Sequence, residues 1–146
     1  MKSVCCAWQE LGEDLILYLH AGEEPGKPLA EARTTPQRIA RLLDLFPKLK
    51  VVAAHFGGLH MLEEVKKYLL GRQLYFDTVW TPEKEGLDKK EIVHLIREHG
   101  THKILFGTDF PIFNTKEQIE WFSSLPLGSE EKEMIFYKNA QRLFEI

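Results

Sequence analysis

A short apolar run that stops at a polar residue, followed by a helix-patterned stretch, occurs four times in this chain. The runs are Asp14–Leu19, Lys50–Ala54, Leu74–Phe76 and Lys103–Phe106, and they lead into His20, His55, Asp77 and Gly107-Thr108-Asp109. Each run is too short for a helix and reads as a buried strand. The stretches between them carry apolar residues at helical spacing: Ile39, Leu42, Leu43 and Phe46; Leu62, Val65 and Leu69; Ile92, Leu95 and Ile96. Strands that alternate with helices must lie parallel, joined by right-handed crossovers. Near-continuous apolarity in each strand fits a parallel sheet covered on both faces. The fold class is α/β.

Local signals set the element bounds. Residues 3–12 predict a helix closed near Gly12, and Gly22, Pro25, Gly26 and Pro28 mark a loop. Thr35-Pro36 predicts a capped helix start, and Pro47 ends that helix. Leu59 to Leu70 and Asp88 to His99 are the next helices, closed by Gly71 and Gly100. Thr115 with Gln118 predicts a capping box for a helix over 116–124. Ser129 is the expected cap of a last helical region that runs through Asn139 to Phe144. No linker divides the chain, so 1–146 reads as a single domain or part of one.

Bulk chemistry narrows the function classes. With 44% hydrophobic and 28% charged residues in 146, the chain has an ordinary globular balance and enough length for a core. A formal charge of −3 gives no basic footprint for nucleic acid or an anionic membrane. The run Leu15–Leu19 falls far short of the roughly 18–20 apolar residues of a membrane helix. The two cysteines, Cys5 and Cys6, are adjacent and suit neither a structural disulfide nor a cysteine-rich zinc site. These features read as a cytoplasmic protein.

The strand-end residues carry the chemistry. In a parallel sheet the C-terminal strand ends share one rim, where ligands and catalytic groups gather. His20, His55 and Asp109 therefore converge although they lie far apart in sequence. Two imidazoles and a carboxylate suit a borderline divalent metal, zinc first, which lowers the pKa of bound water to about 7 or polarises a substrate oxygen. The ligand expected there is a small-molecule substrate. Asp77 fits a loop-capping or supporting role. Trp80 either walls the pocket or joins the core, and His60 either faces the rim and substrate or is a solvated residue of the first helical turn. Glu23 and Glu24 read as solvated loop carboxylates, and His94, His99 and His102 as surface or turn residues. Gly57-Gly58 offers backbone N–H groups to an anion.

The segments LYLHAGEEP, FPKLKVVAAHFGG, LYFDTVW, HGTHKILFGTDFP and NAQRLFEI together resemble the later part of metal-dependent amidohydrolases. The subgroup is that of aminocarboxymuconate semialdehyde decarboxylase and related decarboxylases, lactonases and hydrolases. The resemblance implies a (β/α)₈ barrel of which this chain holds the C-terminal half, as barrel strands five to eight. It implies His20 as a metal ligand and Asp109 as both ligand and proton shuttle. His55 would activate water or hold a second metal. It also implies a first-strand His-x-His pair, and this sequence contains none.

A full barrel needs about 200–250 residues, so the chain reads as a half starting from an internal Met. Two unpaired sheet edges would then favour self-association or pairing with a complementary half-barrel. The function expected is a metal-dependent hydrolase or decarboxylase, impaired or inactive alone. The alternative is a non-catalytic half-barrel paralogue or interaction module that keeps the same His and Asp residues. A flavodoxin-like nucleotide binder lacks support, because no Gly-rich phosphate loop follows the first strand.

Overall fold

The computed structural model describes residues 15–24, 26–28, 31–79 and 86–146. The helix expected over 3–12, Cys5, Cys6 and Trp80 lie outside the described residues. Four strands form one parallel sheet in sequence order: β1 (Ile16–Leu19), β2 (Lys50–Ala53), β3 (Tyr75–Asp77) and β4 (Ile104–Leu105). The helices are α1 (Pro36–Leu45), α2 (Leu62–Tyr68), α3 (Lys89–His99), α4 (Thr115–Ser123), α5 (Ser129–Glu133) and α6 (Asn139–Phe144).

Side-chain alternation gives the sheet two apolar faces, as expected for covered parallel strands. Val51, Ala53, Phe76 and Ile104 face the helices and pack with Ile39, Leu43, Val65, Leu69, Ile92, Ile96 and Phe122. On the opposite face, Val52 and Leu105 are sealed by Leu143 and Ala140 of α6, with Ile16 and Tyr75 at the margin.

Thr35 caps α1 by accepting from the Arg38 N–H, and Pro36 occupies the first turn, as the sequence predicts. Asp88 caps α3 in a reciprocal box: it accepts from Lys90 and Glu91 N–H at 2.7 and 2.9 Å, and Glu91 accepts from Asp88 N–H at 2.8 Å. Two expected caps move by one residue. Asn114, not Thr115, caps α4, because its amide oxygen accepts from the Lys116 N–H at 2.9 Å. Gly128 stands at the cap of α5, where Glu131 reaches back to its N–H at 2.8 Å, and Ser129 is already helical.

The helix expected from Leu59 starts only at Leu62. A 3₁₀ turn, His55–Gly57, precedes it, and His60, between Leu59 and Leu62, is left-handed at φ 56°, as His55, Phe56 and Gly57 are at 52° to 88°. A right-handed helix cannot run through left-handed residues. Gly57 is required there: a Cβ would sit 2.5 Å from the Phe76 ring. Lys103 is likewise not a strand residue but belongs to a 3₁₀ turn (Thr101–Lys103), where its ammonium donates to the Gly71 and Arg72 carbonyls at 3.0 and 2.6 Å.

The outer edge of β4 is not open. The Phe106 N–H donates to the Ile135 carbonyl at 2.9 Å, within a π turn (Met134–Lys138) between α5 and α6. The Asn139 amide donates to the Ile104 and Thr101 carbonyls, both at 2.8 Å, and Asn139 is fully buried. The C-terminal segment thus takes the hydrogen-bonding groups that a neighbouring strand would use. Asn139→Ala strands one buried and one half-buried carbonyl and is expected to cost about 2–3 kcal/mol. Urea denaturation checks this; a change within about 0.5 kcal/mol, the range of an ordinary surface substitution, would contradict the capping role.

Candidate functional site

The C-terminal rim of the sheet opens into a cleft of about 470 Å³ lined by Tyr18, His20, His55, Asp77, Val79, Thr108, Asp109 and Phe110. His20 comes from the end of β1, His55 from the turn after β2, and Asp109 from the loop after β4. The structure brings these three sequence-predicted residues to one cavity.

His20 and His55 touch directly. Nδ1 of His20 lies 2.9 Å from Nε2 of His55, with the rings edge to face. Nε2 of His20 lies 2.7 Å from the Glu23 carbonyl, which only accepts, so that nitrogen carries the hydrogen. The neutral pairing that satisfies both contacts has His55 Nε2–H donating to His20 Nδ1. His55 Nδ1 is then a bare lone pair, buried and without a partner. Burial pushes the His55 imidazole down to about 4; His20 adds to that effect and Asp109 opposes it.

The loops that hold these groups are tied to one another. Leu59 N–H donates to the Ala21 carbonyl, and Glu23 N–H to the Leu59 carbonyl, at 2.9 and 3.0 Å. Gly22 sits between them at φ 93°, where a Cβ would lie 2.2 Å from the Leu59 nitrogen. Thr78 Oγ1 accepts from the Gly107 N–H at 3.1 Å and fixes the turn that leads to Asp109. Asp109 itself has φ 55°, a left-handed conformation that Asp tolerates better than most residues.

Asp77 lines the floor of the cleft and also supports its neighbours. It is 1% exposed, and its Oδ1 accepts from the N–H groups of His55 and Val79 at 2.7 and 3.1 Å. Its Oδ2 accepts from the Tyr18 hydroxyl at 2.6 Å. Burial raises the Asp77 carboxyl to about 6. Burial, then the charge of Asp77, also pushes the Tyr18 phenol upward, so that it stays protonated. Strand alternation is the sequence signal for Tyr18: Leu17 and Leu19 share one face, which turns Tyr18 to the other.

Other expectations change. His60 pairs with the Glu23 carboxylate, so neither is a simple solvated side chain. The Gly57 and Gly58 N–H groups are spent on the Ala54 and His55 carbonyls at 3.0 Å and offer nothing to an anion. His99 is not a surface residue. It is 1% exposed, stacks on Phe76 at 3.8 Å, donates from Nε2 to the Leu74 carbonyl and accepts at Nδ1 from the Gly71 N–H.

The titration of these groups predicts a pH profile. Burial holds His55 and His99 both near 4, against about 6.5 for an unfolded histidine. As pH falls from 6.5 toward 4, the unfolded chain takes up protons that the folded chain refuses, so stability is lost. Asp77 acts in the opposite sense, because its raised pKa weakens the fold as pH rises from about 4 to 6. Two imidazoles outweigh one carboxyl, so stability should climb between pH 4 and 6.5. Urea midpoints measured across that range check it; a flat or falling profile would contradict these protonation states.

The donors fit a divalent metal in kind, since His55 Nδ1 is an unclaimed buried lone pair and Asp109 shares its cleft. They fall short in number: among the described residues no three His, Cys, Asp or Glu side chains are placed to hold a metal together. Among the same residues, no helix is long and apolar enough to cross a membrane.

The sequence profile of the family described as Amidohydrolase matches residues 8–146. A gamma-resorcylate decarboxylase of Polaromonas sp. (strain JS666) is 27% identical over 120 residues, which cover 72% of this chain and 37% of that protein. An uncharacterised TIM-barrel protein from Bordetella bronchiseptica superimposes with a TM-score of 0.70 at 24% identity, over 91% of this chain and 46% of that one. A dihydroxybenzoic acid decarboxylase from Polaromonas sp. JS666, solved with bound manganese and the inhibitor 2-nitroresorcinol, gives 0.63 at 21%, over 90% and 50%. The chain thus spans about half the length of these solved structures, and its parallel strands and intervening helices follow the C-terminal half of a TIM-type barrel. The profile match takes in nearly the whole sequence, and the chain belongs to the amidohydrolase family.

Proposed function

We propose that this chain supplies the strand-end part of the active site of a metal-dependent decarboxylase or hydrolase that acts on a small molecule. The observation that carries the reading is the convergence of His20, His55 and Asp109 on one cleft. The decarboxylase names of several relatives favour an aromatic acid as substrate. The metal, zinc by donor preference and manganese by analogy with one solved relative, would be held by His55 Nδ1 and Asp109, with His20 as a third ligand once its Nδ1 gives up the bond to His55 and the three groups draw together. The sequence has no His-x-His, so further ligands would come from outside these residues. Such a metal supplies Lewis-acid polarisation of a substrate oxygen.

The chain's own groups do the rest. The Asp109 carboxylate holds and moves a proton at the cleft mouth. When no metal occupies it, His55 Nδ1 accepts a hydrogen from a substrate hydroxyl or a water. Val79 and Phe110 provide apolar walls for a ring, and Trp80 and His60 are further candidates for substrate contact. A cytoplasmic setting belongs to this reading, as does association with a complementary half-barrel or a second copy along β1. Among the described residues β1 has a strand neighbour on one side only.

Metal content by mass spectrometry on protein purified without added metal, with an assay of CO₂ release from 2,6-dihydroxybenzoate, tests the proposal. Retained metal and turnover, in the chain alone or with a complementary half, are expected. Absence of both in every assembly would favour the second reading, a non-catalytic half-barrel. That reading draws its support from the missing three-donor cluster.

A further inference from the structure

One buried carboxylate ties three neighbouring strand ends together. Asp77 Oδ1 accepts from the N–H of His55, just past β2, and from the N–H of Val79, just past β3, while Oδ2 accepts from the hydroxyl of Tyr18 on β1. His55 is held at φ 58°, so its N–H points to a place where no strand or helix partner serves it; Asp77 is the acceptor that makes this conformation affordable. The rest of the turn is fixed independently, since Gly57 and Gly58 donate to the Ala54 and His55 carbonyls.

The structure assigns Tyr18 and Asp77 as positioning residues: together they clamp the backbone of His55, whose imidazole borders the cleft and keeps a bare, buried Nδ1. Neither side chain donates to or accepts from that imidazole, so the clamp acts through the main chain and leaves Nδ1 unclaimed, while Nε2 stays paired with His20. This inference rests on the proposed function only in giving His55 a use; the clamp itself is tested without any activity.

The test is amide hydrogen exchange and long-range ¹H–¹⁵N imidazole spectra on the full chain, for wild type, Asp77→Ala, Asp77→Asn and Tyr18→Phe. In Asp77→Ala the His55 and Val79 amides should exchange about 5- to 10-fold faster, the equivalent of one lost hydrogen bond. The Gly71 amide, bonded to His99 in the core, should stay protected. The His55 ring should change from one tautomer signature to an averaged one. Asp77→Asn keeps an acceptor for both amides and should restore their protection. Tyr18→Phe, at a half-exposed position that tolerates the change, should loosen the same two amides by a smaller factor and serves if Asp77→Ala does not fold.

Unchanged His55 and Val79 exchange and an unchanged imidazole signature in a folded variant would overturn the clamp and leave the proposed function standing. A responsive clamp in a protein that retains no metal and turns over nothing would overturn the proposed function and leave the clamp.

Discussion

Replacing Asp109 by alanine is expected to reduce any turnover by about 10²–10⁴-fold, the span of a lost proton-transfer group, and to lower metal retention with it. Asp109 lines the cleft with His20 and His55, and its charge reaches His55, Tyr18 and Asp77. The backbone must be controlled for, because Asp109 sits at φ 55° and alanine tolerates that conformation less well. Asp109→Asn keeps the left-handed preference and removes only the charge, so both variants should lose function while the asparagine form keeps wild-type stability. Metal stoichiometry and turnover read together decide it. Unchanged values for both in Asp109→Ala would remove Asp109 from the site.

Phe76→Ala should have the largest effect on stability, about 3–5 kcal/mol, out of a total of about 5–15 kcal/mol for a domain of ordinary size. Phe76 is fully buried in β3, its ring stacks on His99 at 3.8 Å, and it fills the space a Cβ on Gly57 would take. Its loss leaves a cavity between the sheet and α3, next to Asp77 and beneath the turn that carries His55. Urea denaturation measures the cost. A loss below about 1 kcal/mol would mean that the neighbours collapse into the space.

The sheet and the rim were legible because both depend on short-range pattern. Val51, Val52, Phe76, Ile104 and Leu105 announce themselves as strand residues by apolarity, and polar residues just beyond them mark the rim. The α3 stripe also contained its exception: His99 follows Ile92 and Ile96 at the spacing of one helical face, which places it in the core once polarity is set aside. What could not be read depends on long-range closure. That the β4 edge is met by Ile135 and Asn139 follows from how the last helices fold back over the sheet. The left-handed turn at His55 depends on a carboxylate 22 positions away.

The closed edge of β4 makes the two sides of the sheet unequal. A strand arriving beside β4 has to evict the Asn139 amide and the Ile135 carbonyl from groups they already satisfy, so it competes against the chain's own tail. A strand arriving beside β1 meets no such rival among the described residues. The two edges of this sheet therefore differ in kind: the chain's own C-terminal segment satisfies the β4 edge, and among the described residues no strand pairs with the outer side of β1.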